Sequence, residues 1–134
     1  MWTHRDIEVS PDIAWELLTN TTHWPMWGPS VQGADIDGGR LCQGAAGRVT
    51  TSLGLTLPFE ITAYDEGARW AWRVAGVPAT DHTVVPLGPG RCRVGFGVPW
   101  LAAPYLAVCR SALARLDRLA SLQPADTPGS IATP

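Results

Sequence analysis

The stretch LAAPYLAVCRSALARLDRLASL, residues 101–122, predicts one amphipathic helix of about six turns. Apolar residues recur at the i, i+3, i+4 and i+7 spacing of a single helix face, whereas most charged residues lie on the other side. The apolar positions are Tyr105, Leu106, Cys109, Ala112, Leu113, Leu116, Leu119 and Ala120. Pro104 fits the first turn of such a helix, and Pro124 follows its end. A stripe this wide requires a large apolar partner.

The sequence before this helix supplies that partner, because it reads as short alternating strands separated by glycine and proline turns. The predicted strands cover residues 2–9, 31–37, 48–53, 55–64, 69–75, 79–86 and 91–98. Ser10 and Pro11 begin a short helix, and residues 24–29 form an aromatic turn or second short helix. We therefore predict an α+β fold in which a curved antiparallel sheet of about seven strands surrounds the long helix and leaves an internal cavity.

Two hairpins give a predicted register. Folding the chain about Gly54 places Val49 opposite Phe59 and Arg48 opposite Glu60. Folding it about Gly76 places His82 opposite Trp70, and Thr80 opposite Trp72. In the strands as a whole, the arginines fall on the outer face and the aromatic residues on the inner face.

Composition excludes several classes of protein. With 134 residues, 46% of them hydrophobic and 16% charged, the chain suits one folded domain rather than a disordered segment. The net charge of −2 argues against nucleic-acid binding, and no apolar run is long enough to span a membrane. All ten basic residues are arginine, which excludes a Schiff-base lysine. An abundance of Arg, Ala, Gly, Pro and Trp is typical of high-GC bacterial genomes.

The three cysteines are widely spaced and include no CxxC pair, so we expect neither a zinc site nor a disulfide framework. The histidines are also scattered, and we expect no metal and no cofactor. These features favour a reducing, cytoplasmic location. Residues 123–134 are rich in Pro, Ser and other small residues, which predicts a flexible tail after a single domain of residues 1–122.

The opening pattern IEVSPDIAWELLTNTTHWPMWGPSV, residues 7–31, resembles the START-like (SRPBCC) superfamily, in particular its polyketide cyclase/dehydrase branch. The shared features are a Ser-Pro-x-x-x-Trp helix and a Trp-Pro-x-Trp turn. Further matches are Gly47-Arg48-Val49, Leu57-Pro58-Phe59-Glu60-Ile61-Thr62, the Trp-rich strand 69–74 and His82-Thr83-Val84. The resemblance covers residues 1–122 and implies a helix-grip fold with a hydrophobic cavity. Members of the superfamily include polyketide aromatase/cyclases, lipid carriers and hormone receptors.

His82 is the candidate catalytic residue, because strand alternation places it on the cavity face, where a histidine can act as acid or base near neutral pH. The alternative is a histidine that satisfies a hydrogen bond in the core. Cyclases of the resembled family are thought to use an inward arginine, and here only Arg40, in the glycine-rich loop 38–47, is a candidate to reach the cavity mouth. The predicted ligand-binding residues are Phe59, Trp70, Trp72, Thr80, Val84, Phe96, Tyr105, Cys109 and Leu113.

These observations predict binding of a mostly apolar, polyketide-like or lipid-like small molecule in the cavity. Cyclisation or dehydration of that molecule is the enzymatic version of this hypothesis. The alternatives are a noncatalytic carrier of lipids or other hydrophobic ligands, and an interaction or stress-response protein without ligand chemistry. The sequence specifies no oligomeric state.

Overall fold

Seven antiparallel strands form one sheet in the order β1-β7-β6-β5-β4-β3-β2 in the computed structural model, which describes residues 1–122. The predicted tail, residues 123–134, lies outside the described residues. The strands are β1 (Trp2–Ile7), β2 (Val31–Ile36), β3 (Ala46–Thr51), β4 (Thr56–Asp65), β5 (Arg69–Val74), β6 (Val77–Gly88) and β7 (Arg91–Gly97). The helices are α1 (Pro11–Thr19), α2 (Trp24–Trp27) and α3 (Leu106–Ser121). This arrangement confirms the predicted α+β helix-grip fold.

The two short helices are fixed to each other by tryptophan side chains. Helix α1 begins as predicted, with the Ser10 hydroxyl accepting the backbone N–H of Ile13 and Pro11 at the first helical position. The Trp24 indole N–H donates to the carbonyl oxygen of Leu18 at 2.9 Å, and that of Trp27 to Leu17 at 2.7 Å. Because these carbonyls lie near the end of α1, they lack helical partners and can accept the indoles. Helix α2 is thereby held against the core.

The long C-terminal segment is helical, but it does not form a single α-helix. Residues Trp100–Tyr105 form a 3₁₀ helix, and α3 starts only at Leu106. Two features explain the break: Pro104 has no N–H to donate, and Ala102 has the non-helical angles φ −102°, ψ 23°. The predicted apolar stripe is otherwise inward. Its buried members are Leu106, Cys109, Ala112, Leu113, Leu116 and Ala120.

The register of the sheet is partly as predicted. Trp70 does pair with His82. The β3–β4 hairpin differs by two residues, because Val49 pairs with Leu57, and Gly47 with Phe59. The hairpin is centred on Leu53 rather than on Gly54 and its turn is longer than predicted, since the backbone N–H of Thr51 bonds the carbonyl of Leu55 at 2.8 Å and leaves residues 52–54 between them. A shift of two residues leaves every side chain on its predicted face.

Ion pairs cover the outer face of the sheet. The predicted Arg48–Glu60 pair is wrong because of the register shift, and Glu60 instead contacts Arg73 on β5 at 3.2 Å. Arg69 pairs with Asp81 at 2.7 Å across the β5–β6 ladder, and Arg93 with Asp6 at 2.7 Å across β1 and β7. These arginines are therefore directed away from the helix, as the alternation predicts. No helix in residues 1–122 is long and apolar enough to cross a membrane.

Candidate functional site

A cavity of about 460 Å³ lies between the concave face of the sheet and α3. One end is closed by buried aromatic side chains. The other end is bordered by the exposed leucines of the β3–β4 turn, by Pro78 after the β5–β6 turn and by the segment that leads into α3. Leu53, at this open end, is 86% exposed, whereas Trp70, at the closed end, is 1% exposed. The cavity therefore has a mouth at the hairpin turns and a closed aromatic end.

The closed end is a stack of rings from α2 and the central strands. Trp24 lies parallel to Trp70 at a centroid distance of 5.3 Å, and Trp72 meets both rings edge-on. Trp27 packs against Phe96 at 5.5 Å. Large rings of this kind present flat apolar surfaces and give the cavity rigid walls.

His82 lies within this aromatic cluster and is 2% exposed. Its ring is stacked on Trp70 at 3.8 Å and meets Phe96 edge-on at 5.0 Å. Its Nδ1 is 3.2 Å from the Trp70 carbonyl oxygen, and its Nε2 is 3.1 Å from the Thr80 hydroxyl. Since a carbonyl oxygen only accepts, Nδ1 carries the proton and Nε2 accepts from Thr80. The Thr80 oxygen in turn accepts the Trp72 indole N–H at 2.9 Å.

This chain of hydrogen bonds uses every polar hydrogen of the Trp72, Thr80 and His82 side chains. Burial lowers the pKa of His82 to about 3, and the bond to the Trp70 carbonyl only partly offsets that effect. The imidazole is therefore neutral at pH 7, and its one lone pair is occupied by Thr80. The catalytic role predicted from the sequence requires a basic nitrogen free to reach a ligand, and the arrangement provides none unless a ligand displaces the Thr80 hydroxyl.

Two hydroxyls meet near the mouth. The Ser30 Oγ and Tyr105 Oη atoms are 2.6 Å apart and join the α2–β2 connection to the segment before α3. The backbone N–H of Ser52, at the β3–β4 turn, donates to the Ser30 carbonyl at 3.0 Å. Ser30, Ser52 and Tyr105 all line the cavity, so the polar groups near the mouth are neutral hydroxyls.

No residue that lines the cavity within the described chain is charged at neutral pH. The wall contains no Asp, Glu or Arg, and its titratable members are His82, Tyr105 and Cys109. Burial raises the pKa of the Tyr105 hydroxyl and raises that of the Cys109 thiol to about 11, so both keep their protons. The cavity wall is therefore electrically neutral, and it is apolar apart from a few neutral polar side chains.

The structure brings most of the predicted site residues together. The cavity wall includes His82 and six of the predicted ligand-binding residues: Trp70, Trp72, Thr80, Phe96, Tyr105 and Cys109. Phe59, Val84 and Leu113 are inward and buried, but they do not reach the wall. Phe59 packs behind Trp72 and Trp24, which cover it. Strand alternation gives the face of a residue but not its depth behind larger neighbours, which explains why these three side chains lie behind the wall.

Sequence reasoning missed several wall residues. Trp24 and Trp27 line the cavity, although the sequence predicted for them only an aromatic turn or short helix, whereas Trp15 is absent from the wall and donates its indole N–H to Glu66. Ser30 lies in an irregular connection, where no periodicity indicates its orientation. The Trp-Pro-x-Trp turn was the one sequence feature that could have indicated the contribution of Trp24 and Trp27 to the closed end of the cavity.

Arg40 lies elsewhere. It borders a separate, polar pocket together with Trp15, Tyr64 and Glu66, and it is absent from the wall of the apolar cavity. The expectation that Arg40 reaches the cavity mouth is therefore wrong. Loop 38–47 runs beside β4, where Gly44 donates to the Ile61 carbonyl, and this holds the loop away from the mouth. Across residues 1–122, no group of three His, Cys, Asp or Glu side chains is placed to hold a metal ion.

Comparison with known protein families shows to which family the chain belongs. A family model described as "Polyketide cyclase / dehydrase and lipid transport" matches residues 3–121. The chain belongs to this family. No curated protein matches its sequence.

Several solved structures of other proteins have a fold similar to that of this chain. XoxI from Bacillus cereus superimposes with a TM-score of 0.70 at 16% identity, covering 91% of this chain and 95% of that one. An AHSA1-like protein from Aeromonas hydrophila gives a TM-score of 0.62 at 14% identity, covering 88% and 90% of the two chains. A conserved protein of unknown function from Enterococcus faecalis gives 0.66 at 19% identity, covering 88% and 68%. At these identities the comparisons establish the helix-grip fold, and function rests on the site itself.

Proposed function

We propose that this family member binds an uncharged, mostly apolar small molecule in the cavity between the sheet and α3. The observation that carries the proposal is the neutral wall: every titratable side chain on it is held in its uncharged form. A charged ligand group buried there would lose its hydration without gaining a partner, which is costly. An apolar ligand, by contrast, releases water from the aromatic walls.

The size of the cavity supports a ligand with a fused aromatic or similar flat skeleton. Its volume of about 460 Å³ lies within the range of small-molecule sites. Aromatic side chains that include Trp72 and Phe96 line the cavity and can pack against flat rings. Lipids with long chains would have to leave part of their length outside the mouth.

The hydrogen bonds of His82 favour a carrier over a cyclase. A cyclase of a polyketide-like substrate needs a base or acid that contacts the reacting carbon or oxygen atoms. Here the imidazole is neutral, stacked on Trp70 and engaged at both nitrogens. We therefore propose binding and transfer of the ligand in unchanged form as the function.

Calorimetric titration with 2-ethylnaphthalene, a neutral apolar probe, tests this proposal. Ala112 is buried on α3 and lines the cavity, so Ala112→Trp should fill the cavity and abolish binding. Ala107 is exposed on the same helix and does not line the cavity, so Ala107→Trp is the matched control and should bind as the wild type does. Both variants are first shown to unfold cooperatively. Equal binding by both variants, or no binding by the wild type, would contradict the proposal and favour a protein without ligand chemistry.

A further inference from the structure

The Ser30–Tyr105 pair at the mouth has one hydrogen more than it uses. Two hydroxyl groups 2.6 Å apart share a single hydrogen bond, in which either oxygen can be the donor. Whichever group donates, the hydroxyl that accepts still has its own hydrogen. Within residues 1–122 no second acceptor contacts either oxygen, and both residues line the cavity.

Within the described part of the chain, the closed end of the cavity offers no comparable donor. The Trp72 N–H, the Thr80 O–H and the His82 Nδ1–H are each directed to an acceptor in the protein. The Trp70 indole N–H has no partner among the described residues, but surrounding atoms cover it completely, so it is closed to a ligand. A polar group pushed into the aromatic end would therefore lose its hydrogen bonds to water without replacement.

We propose that Ser30 and Tyr105 form the polar subsite of the cavity and bind a neutral oxygen acceptor, such as a ketone, quinone or ether oxygen. The ligand then lies with its apolar skeleton against Trp72 and Phe96 and its oxygen at the mouth. This inference rests on the proposed function, because it concerns the same cavity. It adds the orientation of the ligand and the chemical class of its polar group.

The subsite also discriminates against anions. A carboxylate at the same place would accept the same hydrogen, but among the described residues no arginine or other cation lies on the cavity wall to pair with its charge. Desolvation of a carboxylate costs far more than that of a ketone. We therefore expect the ketone to bind at least about tenfold more tightly than the carboxylate of the same skeleton.

Three probes with one naphthalene skeleton test the subsite: 2-ethylnaphthalene, 2-acetylnaphthalene and 2-naphthoate. The first two differ by the exchange of a methylene for a carbonyl. A hydrogen bond to the carbonyl should make the ketone bind more tightly than the hydrocarbon by about 3- to 10-fold after correction for their transfer from water. Either hydroxyl alone would still have a hydrogen to donate, so the double variant Ser30→Ala/Tyr105→Phe should remove this preference while leaving the affinity for 2-ethylnaphthalene nearly unchanged.

Two further variants make the test specific. Tyr64→Phe removes a tyrosine hydroxyl that is also hydrogen-bonded at 2.6 Å, to Glu66 outside the cavity, and should keep the preference for the ketone. Thr51→Val removes another hydroxyl at the mouth and should also keep it. Loss of the preference in Thr51→Val but not in the double variant Ser30→Ala/Tyr105→Phe would overturn the assignment of the subsite. If 2-ethylnaphthalene binds the wild type but the ketone gains nothing, this inference fails alone. If neither probe binds, the proposed function fails with it.

Discussion

The pH dependence of stability should reveal His82 directly. In the unfolded chain the imidazole has a pKa near the ordinary value of about 6.5. In the folded protein, burial among aromatic rings lowers the pKa to about 3. Between these two pH values the unfolded chain binds one proton more than the folded protein. The free energy of unfolding should therefore fall as the pH falls below about 6.5, and this contribution should be fully present above pH 7.

The expected size follows from the same shift. A difference of one bound proton changes the free energy of unfolding by about 1.4 kcal/mol per pH unit. Between pH 7 and pH 5 the unfolded chain takes up nearly one proton at His82, whereas the folded protein takes up almost none. The integrated loss of stability from this residue is about 2 kcal/mol. The result is insensitive to the depth of the shift, because any folded pKa below about 4 gives nearly the same value.

Urea unfolding at pH 7 and pH 5 measures this loss. Wild type should lose about 2 kcal/mol more than His82→Gln, which has no group at that position titrating in this range. His23→Gln, at a half-buried histidine outside the cavity, controls for the removal of a histidine elsewhere. If His82→Gln fails to fold, NMR titration of the His82 ring protons in the wild type replaces the comparison. Equal losses in wild type and His82→Gln, or a ring that titrates near pH 6, would refute a buried neutral imidazole.

Three other substitutions test the packing of the site by urea unfolding. Thr80→Val leaves the Trp72 N–H and the His82 Nε2 without their partner and should cost about 2–4 kcal/mol, whereas Thr50→Val, at an exposed hydroxyl pair, should cost under about 1 kcal/mol. Trp24→Ala should cost about 3–5 kcal/mol, and a loss below about 1 kcal/mol would show that the stacked rings do not support the core. Gly47→Ala should cost more than about 2 kcal/mol, because the new Cβ would overlap the Asp35 carbonyl oxygen and the Phe59 ring. Gly33→Ala is its control, because this strand position has open space, and it should change stability by less than about 1 kcal/mol.

Strand alternation and hairpin turns were sufficient to predict most of the sheet. The period-2 pattern of β5 and β6 placed Trp70 opposite His82, and the structure has that pair. The helical stripe of residues 105–120 predicted which face of the last helix is buried. Both patterns arise from burial of one face, which is a property of the local sequence.

Depth and loop geometry were not predictable in the same way. Phe59 and Trp72 both face inward, yet only Trp72 reaches the cavity, because ring packing between the neighbouring strands β4 and β5 and against Trp24 of α2 decides which side chain covers the other. The place of Ser30 depends on the α2–β2 connection and on a hydrogen bond to Tyr105, 75 positions later in the chain. Tertiary contacts of this kind leave no periodic signal in the sequence.

The hydrogen-bond partners of the His82 ring nitrogens could not be predicted from the sequence either. The sequence indicates a histidine on the cavity face, but its partners are the Thr80 hydroxyl and a backbone carbonyl of the neighbouring strand. Only the register of β5 and β6 together with the rotamers of the side chains brings these atoms within 3.2 Å. The sequence left a catalytic role and a hydrogen-bonded core role open for His82, and the contacts of both ring nitrogens favour the second.

Native mass spectrometry of the protein isolated from the organism that encodes it tests the central claim most directly. The account predicts that the wild type retains a neutral, mostly apolar molecule with an oxygen acceptor. Ala112→Trp, in which the cavity is filled, should carry no ligand, and Ala107→Trp should carry the same one as the wild type. An anionic ligand in the wild type, or the same ligand retained by Ala112→Trp, would contradict a neutral binding site between the sheet and α3.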